Sequence, residues 1–167
     1  MKIFCPVVSR TAVLFFIAAL LLGHAGLRAG EFDIIINELN YNVFDNGGED
    51  SLEFIELYNR GGTVVDLGGW DFSRGVDFTF SAGTMVEPGE YLVLSPDPAA
   101  AAARYGLQRV LGPYLGQLDN GGEILELLNS KGRMISRVHY DDSTPWSGRP
   151  DGRGPSLEFT GVDNANS

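Results

Sequence analysis

Short runs in which apolar and polar residues alternate fill most of the chain beyond residue 30, and Gly, Asn, Asp and Pro separate them. A period of two places successive side chains on opposite faces of a β-strand. In the run SLEFIELYN, Glu53, Ile55 and Leu57 share one side of the predicted strand. We expect Ile55 and Leu57 in the core, and Phe54 and Tyr58 on the opposite, partly exposed face.

One segment departs from this alternation and predicts a helix near residues 98–105. In DPAAAAARYG, Asp97 can cap the helix, Pro98 suits its first position, and Gly106 ends it. Short strands with closely spaced turns predict an all-β fold, a sandwich or a small barrel. The other predicted strands are FDIIINELNY, TVVDL, DFTF, YLVLS, EILELL, RMISRVHY and SLEF.

The two tryptophans lie in different contexts. Trp70 follows a Gly pair within the β region, where a large aromatic ring usually packs in the interior, so we expect it in the core. Trp146 lies in STPWSGRPDGRG, a loop rich in Gly and Pro. Packing and an exposed contact fit that loop equally well, and Trp146 is therefore a candidate surface-contact residue.

Residues 1–29 have the pattern of a secretory signal peptide. Basic Lys2 and Arg10 precede the apolar run TAVLFFIAALLL, and small residues follow it. The run is shorter than the ~20 apolar residues of a membrane span, so cleavage after residue 29 or 25 is expected, with an uncleaved anchor as the alternative. Residues 30–160 then form the domain, and residues 161–167 are the start of a linker or a truncated end. We expect a secreted or cell-surface domain that keeps no transmembrane span.

The charge balance narrows the choice of partner. The chain has 12 Lys and Arg and 22 Asp and Glu, and removal of residues 1–29 leaves 9 basic residues and a net charge of −13. The single cysteine, Cys5, leaves as well, which excludes a disulfide-pinned antibody-type domain. Nucleic-acid binding needs clustered Lys and Arg to displace counterions. We therefore expect a monomeric domain with a protein or cell-surface partner and no nucleic acid.

Groups suited to catalysis are few. Beyond residue 29 the only histidine is His139. A triad of His139 with Asp141 or Asp142 and a serine is conceivable, but no nucleophile-elbow motif fixes such a geometry. The sequence also contains no Cys/His metal set, phosphate loop or dinucleotide fingerprint. A non-catalytic chain without a cofactor is the prediction.

Two pairs of carboxylates are candidates for acid/base chemistry. Glu53 and Glu56 differ by three positions, as do Glu123 and Glu126, so strand periodicity turns the members of each pair to opposite faces. A glycosidase needs two carboxyl groups that face one bond. Neither pair supports that chemistry.

The pentapeptide DNGGE occurs twice, at Asp45–Glu49 and Asp119–Glu123. Around the first copy, oxygen-bearing side chains of the kind that calcium prefers are close together, although their spacing is not that of an EF-hand. The second copy leads directly into a strand and predicts a plain hairpin turn. Oxygen-rich turns are also common without any ion. The candidate calcium ligands are Asp45, Asn46, Glu49 and Asp50.

The segments that follow the two copies share residues in register at an offset of 70 positions. Glu56 and Leu57 align with Glu126 and Leu127, and the Asn and Gly that follow also recur. A duplication and the common constraints of short β-hairpins both explain this pattern.

Six segments then suggest a known family by their order: IINELNY, EFIELYN, VVDLGGWDFS, FSAGTMVEPGEYLVL, LDNGGEILELLNSKGRMISRVHY and GPSLEF. In this order they resemble the lamin tail domain in its bacterial secreted form, over about residues 34–159. The resemblance implies an immunoglobulin-like β-sandwich.

The resemblance also implies a role. In nuclear lamins the domain follows a coiled-coil rod and contacts proteins and DNA, whereas bacterial forms resemble modules appended to exported proteins. This chain has no heptad rod and is acidic, which argues against DNA binding, and it has Ser136 where family members tend to carry an acid. The expected function is an exported, non-catalytic module for binding, adhesion or spacing within a larger protein. The alternatives are an accessory domain of an exported hydrolase or nuclease, and a calcium-stabilised module.

Overall fold

The computed structural model describes residues 30–43, 52–143 and 156–158. In these residues, a 3₁₀ turn at Glu31–Asp33 precedes ten β-strands and one α-helix. The elements are β1 (Ile34–Asn40), β2 (Phe54–Asn59), β3 (Val65–Asp66), β4 (Asp71–Arg74), β5 (Met85–Val86), β6 (Tyr91–Leu94), α1 (Pro98–Tyr105), β7 (Val110–Leu111), β8 (Ile124–Leu128), β9 (Met134–His139) and β10 (Leu157–Glu158).

Two main sheets enclose one core. The larger has the strand order β10-β1-β2-β6-β7, the smaller has the order β4-β8-β9, and β3 and β5 form a separate ribbon. The strand pairs are antiparallel except for β6 and β7, which are parallel. Apolar side chains from both sheets form a single buried cluster, which confirms the all-β sandwich with one short helix. Among them are Ile34, Ile36, Ile55, Leu57, Leu92, Phe72, Leu125, Leu127 and Val138.

Strand β1 links the two sheets. Its register with β2 shifts between Ile36 and Glu38, which marks an irregularity at Asn37. The backbone N–H of Ile36 donates a hydrogen bond of 3.1 Å to the Ser136 Oγ of β9. Ser136 therefore satisfies a backbone donor of the opposite sheet.

The helix forms as its sequence predicts. The Asp97 carboxylate accepts a hydrogen bond of 2.9 Å from the Ala100 N–H, which satisfies one of the free donors at the helix start. At the other end Gly106 adopts a left-handed conformation, with φ of 69°, and its N–H bonds to the Ala102 carbonyl. The eight-residue helix lies between β6 and β7 in the chain.

Asn59 and Asn129 are both buried, and each stabilises the turn at the end of a strand, one in each main sheet. The Asn59 side chain, at the end of β2, accepts a hydrogen bond of 3.0 Å from the Gly61 N–H. The Asn129 side chain, just after β8, accepts one of 3.0 Å from the Lys131 N–H. An Asn side chain bonded to the N–H two residues later forms an Asx turn. The repeated Glu-Leu-x-Asn pattern thus encodes the same strand-end turn twice.

The prediction of a partly exposed Phe54 is wrong. Ile55 and Leu57 are buried in the core as expected, but Phe54, at 8% exposure, is buried as well. Its ring and the Tyr105 ring form an edge-to-face pair, with centroids 5.3 Å apart. Helix α1 therefore covers this position, a tertiary contact that strand periodicity does not encode.

The predicted strand DFTF is not a regular strand. Two isolated bridges, Asp71 to Thr79 and Asp77 to Leu115, replace a continuous ladder there. One edge of β4 is paired with β8, and the segment contacts the other edge at scattered positions. Strands β4, β5 and β7 were not predicted.

Candidate functional site

The outer face of the five-stranded sheet, which points away from the core, has two different ends. On β2, Ile55 and Leu57 point into the core, so period two turns Phe54, Glu56 and Tyr58 to the outer face. The end at Phe54 lies under α1. At the other end, which we call the open end, Glu56 and Tyr58 are only partly buried.

At the covered end, helix α1 contacts the sheet through the side chain of Tyr105. The Asn40 side chain donates a hydrogen bond of 2.8 Å to the Tyr105 hydroxyl. That hydroxyl in turn donates to the Leu52 carbonyl at 3.2 Å. The Tyr105 ring packs on Phe54, so the helix holds both the polar and the apolar part of the contact.

At the open end, three glutamates from three adjacent strands lie side by side. Glu38 of β1 is directly opposite Glu158 of β10 on one side and Glu56 of β2 on the other. Directly opposed residues in an antiparallel pair have Cβ atoms about 4.5–5.5 Å apart, and like charges there are destabilising. We call Glu38, Glu56 and Glu158 the carboxylate row.

Neutral groups hold the row in place. The Asn37 side chain donates a hydrogen bond of 2.8 Å to Glu56 Oε1, and the Ser156 hydroxyl donates to Glu38 Oε1. Partial burial raises the pKa of the Glu56 carboxyl; the Asn37 hydrogen bond opposes this, and the charges of Glu38 and Glu158 raise the pKa further. The row is thus a concentration of negative charge in which Glu56 is partly buried and Glu158 is exposed.

A pair of tyrosines lies next to the row on the same face. Tyr58 and Tyr91 are directly opposite each other on β2 and β6. Their rings are stacked, with centroids 4.4 Å apart and planes 20° apart. Tyr91 is 53% exposed. The tyrosine pair therefore presents an aromatic surface beside the three carboxylates.

The ion pairs formed among the described residues lie elsewhere. They join Arg74 to Glu126, Arg109 to Glu90 and Arg133 to Glu31. Within residues 30–43, 52–143 and 156–158, no basic side chain pairs with the carboxylate row.

A sequence model of the lamin tail domain matches residues 28–142. The chain belongs to the lamin tail domain family. The match covers more than half of the chain, and the family's immunoglobulin-like sandwich agrees with the observed sheets. A comparison with curated proteins gave no match.

This lamin tail domain also has a buried carboxylate, Glu53, whose burial sequence reasoning did not predict. Glu53, 1% exposed, accepts hydrogen bonds from the Leu118 N–H at 2.9 Å and the Tyr114 hydroxyl at 3.3 Å. It lines a cavity of about 370 Å³ together with Gln117, Leu118, Asp119 and Asn120. The signal was available, because Glu53 shares its strand side with the core residues Ile55 and Leu57.

The second DNGGE copy is a turn beside this cavity, but it is not a hairpin. The Asp119 carboxylate accepts the Gly121 N–H at 2.8 Å, and the Asp119 N–H donates to Glu123 Oε1 at 3.0 Å. The strand that follows, β8, pairs with β4 and β9 and not with the segment before the turn. The prediction of a plain hairpin is therefore wrong, since Leu118 is bound by Glu53 instead.

Other predicted site residues fall outside the described part of this lamin tail domain. These are the signal segment at residues 1–29, the surface-contact candidate Trp146, and the calcium candidates Asp45, Asn46, Glu49 and Asp50. In the described part, no three His, Cys, Asp or Glu side chains are placed to hold a metal ion. No helix there has the length and apolar content that a bilayer crossing requires.

The remaining candidates have local structural roles. Trp70 is buried, as predicted, and forms part of the wall of a second cavity of about 430 Å³ with Val65 and Asn129.

His139 is exposed on β9. The Asp141 carboxylate accepts both the N–H and the hydroxyl of Ser143, and these bonds lower the pKa of Asp141. The Ser143 hydroxyl is thus bound to the acid and not to the imidazole.

The paired carboxylates also lie as strand periodicity predicts. Glu53 is buried and lines the cavity beside Leu118, whereas Glu56 lies on the outer face and bonds to Asn37. Glu123 bonds the Tyr140 hydroxyl at 3.1 Å, whereas Glu126 pairs with Arg74. Sequence reasoning missed the carboxylate row, because the row joins different strands.

Proposed function

We propose that this lamin tail domain is an exported, non-catalytic binding module of a larger secreted or cell-surface protein. The signal-peptide pattern of residues 1–29 supports export. One observation carries the binding role: the same sheet face is sealed by α1 at one end and open at the other. The open end carries the carboxylate row and the tyrosine pair.

The physical argument rests on stability. Like charges directly opposite each other across strands destabilise a sheet. Sequences break such local rules chiefly at functional sites. Aromatic residues with an exposed ring are also enriched where proteins bind partners. The open end combines both features on adjacent rows of one sheet face, and no such combination is needed for the core.

Photo-crosslinking of the full chain tests the binding role. A benzophenone amino acid replaces Tyr91 at the open end or, as a matched control, Met134 on β9, which is 49% exposed against 53% for Tyr91. We expect a discrete adduct in the exporting cell from position 91 and none from position 134. Equal adducts from both positions, or none from either, would contradict the proposal.

An activity panel tests the non-catalytic part. The purified chain and its His139→Ala variant are assayed on ester, glycoside, peptide and nucleic-acid substrates. We expect no turnover by either protein. Turnover that the wild-type chain shows and His139→Ala loses would contradict the non-catalytic part of the proposal.

A further inference from the structure

We propose that the open end of the outer face binds a cationic segment of a partner protein, one that carries at least two Arg or Lys side chains. The inference rests on the proposed function and names the chemistry of the partner. It follows from the carboxylate row and the tyrosine pair considered together.

Charge is the first step. Glu38 faces a like charge on both sides, Glu158 and Glu56, and the described residues place no Lys or Arg against the three carboxylates. The hydrogen bonds that Asn37 and Ser156 donate to the row come from neutral groups and leave its charge uncompensated. A bound cation would convert the repulsion into attraction. The binding energy would therefore include the relief of a strain already present in the free domain.

Because of the tyrosine pair, an Arg side chain of the partner should bind the open end better than a Lys side chain. Tyr58 and Tyr91 lie two residues along β2 and β6 from the register position of Glu56 and Val93. They are thus on the same face and one row away from the carboxylates. A guanidinium group binds a carboxylate through two parallel hydrogen bonds and stacks on an aromatic ring, which an ammonium group does less well. One Arg can lie on the row while a second lies on Tyr91.

Other occupants fit this face less well. A second copy of the chain would bring another carboxylate row against the first, and a nucleic acid would bring phosphates. Calcium takes six to eight oxygen ligands, usually from a wrapping loop. The three carboxylates stand on adjacent strands of one sheet face and are not placed to hold a single metal ion.

Peptide binding to the full chain tests the inference. The probe is a fluorescent peptide with three Arg residues spaced by Gly and Ser, and its control is the same peptide with citrulline, a neutral isostere, at each Arg. Binding is measured by anisotropy at about 0.05 M and about 0.15 M salt, since screening weakens charge attraction over this range. We expect the Arg peptide to bind and the citrulline peptide not to bind.

Two double variants locate the binding surface. Glu38→Gln with Glu56→Gln removes two charges from the row, and Glu87→Gln with Asp77→Asn removes two exposed charges elsewhere. We expect the row variant to bind the Arg peptide at least about tenfold more weakly, because charge-assisted hydrogen bonds are lost. The control variant should bind as the wild-type chain does. Thermal unfolding of both variants checks that each is folded.

Several outcomes would overturn the inference. They are equal binding of the Arg and citrulline peptides, an equal loss in both double variants, and no binding by the wild-type chain. Calcium that binds the wild-type chain but not the row variant, and displaces the peptide, would instead assign the row to a metal ion. If crosslinking from position 91 still succeeds, the binding module stands without a cationic partner. If crosslinking fails too, both proposals fall.

Discussion

The two ends of the outer face of the five-stranded sheet differ in how they are covered. At the covered end, Phe54 is buried under Tyr105, and Asn40 bonds the Tyr105 hydroxyl. At the open end, Tyr91 remains half exposed beside like-charged glutamates. Both ends belong to β2 and its neighbours, so the difference does not arise from the strand pattern. It shows which part of the face the fold uses for its own stability.

Truncation of a side chain at the covered end should destabilise the domain more than any other change proposed here. Phe54→Ala removes a nearly buried ring, and we expect a loss of about 3 kcal/mol in the free energy of unfolding. Tyr91→Ala, the matched change at the open end, should cost about 1 kcal/mol or less, since one stacked pair is lost. Urea unfolding of both variants measures the difference. Equal losses would mean that the open end is as much a part of the folded core as the covered end.

Destabilising helix α1 should make the covered end more exposed, and so more like the open end. Asp97→Ala removes the cap of α1, and we expect a loss of about 1 kcal/mol. Amide exchange in residues 98–105 should accelerate, because the first turn regains a free N–H. Asp97→Asn keeps an oxygen acceptor and should stay close to wild type. Exchange that is unchanged in Asp97→Ala would show that the helix does not depend on this cap.

At the open end, removal of a charge should stabilise the domain. Glu56→Gln keeps an acceptor for Asn37 but removes the repulsion from Glu38 and Glu158, and we expect a gain of about 0.2–1 kcal/mol at pH 7. Glu126→Gln is the matched control, because Glu126 holds the equivalent place on β8 but pairs with Arg74. That change should be neutral or slightly destabilising. A gain in both variants would indicate relief of overall net charge and not of the row.

The stability that Glu56→Gln gains over the wild-type chain should increase with pH. The folded-state pKa of Glu56 is raised above its ordinary value of 4.5. Between these two pKa values the folded state binds more protons than the unfolded state, so wild-type stability falls as pH rises through that window. Glu56→Gln lacks this loss. Its advantage over wild type should therefore vanish below pH 4.5 and reach its full size at neutral pH, as thermal unfolding across pH would show.

The smallest expected effect is that of salt. Raising the salt concentration from about 0.05 M to about 0.5 M screens like charges, and the wild-type chain should gain a few tenths of a kcal/mol relative to a Glu38→Gln and Glu56→Gln variant. Tyr105→Phe at the covered end serves as the control, because it should show the same salt response as the wild-type chain. A larger response in the row variant would contradict the account of the row.

Much of the fold follows from local sequence rules. The helix and its caps depend on neighbouring residues, Asp97, Pro98 and Gly106, and each took the predicted role. Burial of Ile55, Leu57 and Trp70 follows from alternation and residue size. Phe54 shows the limit of these rules, because its cover comes from a helix residue more than fifty positions away. Strand β7 was missed because two residues without alternation carry no period.

The candidate site was harder to predict, because it depends on which strands become neighbours. Glu38 and Glu158 stand 120 positions apart in the chain, and their pairing sets the carboxylate row. Alternation placed Glu56 on the outer face but could not supply its cross-strand partners. The calcium candidates at residues 45–50 remain a prediction, since they lie outside the described residues.

The pairing of β1 with β10 has a mechanical consequence. These strands are antiparallel, with Leu39 opposite Leu157 and Glu38 opposite Glu158, so the chain enters β1 and leaves β10 at the same end of the sheet. Tension applied through both ends of the domain would load this pair in the unzipping geometry, in which its hydrogen bonds break one after another. Parallel terminal strands would resist the same pull in shear, with all their bonds strained together. The pairing of β1 with β10 is therefore mechanically weak towards a pull on the two ends of the domain.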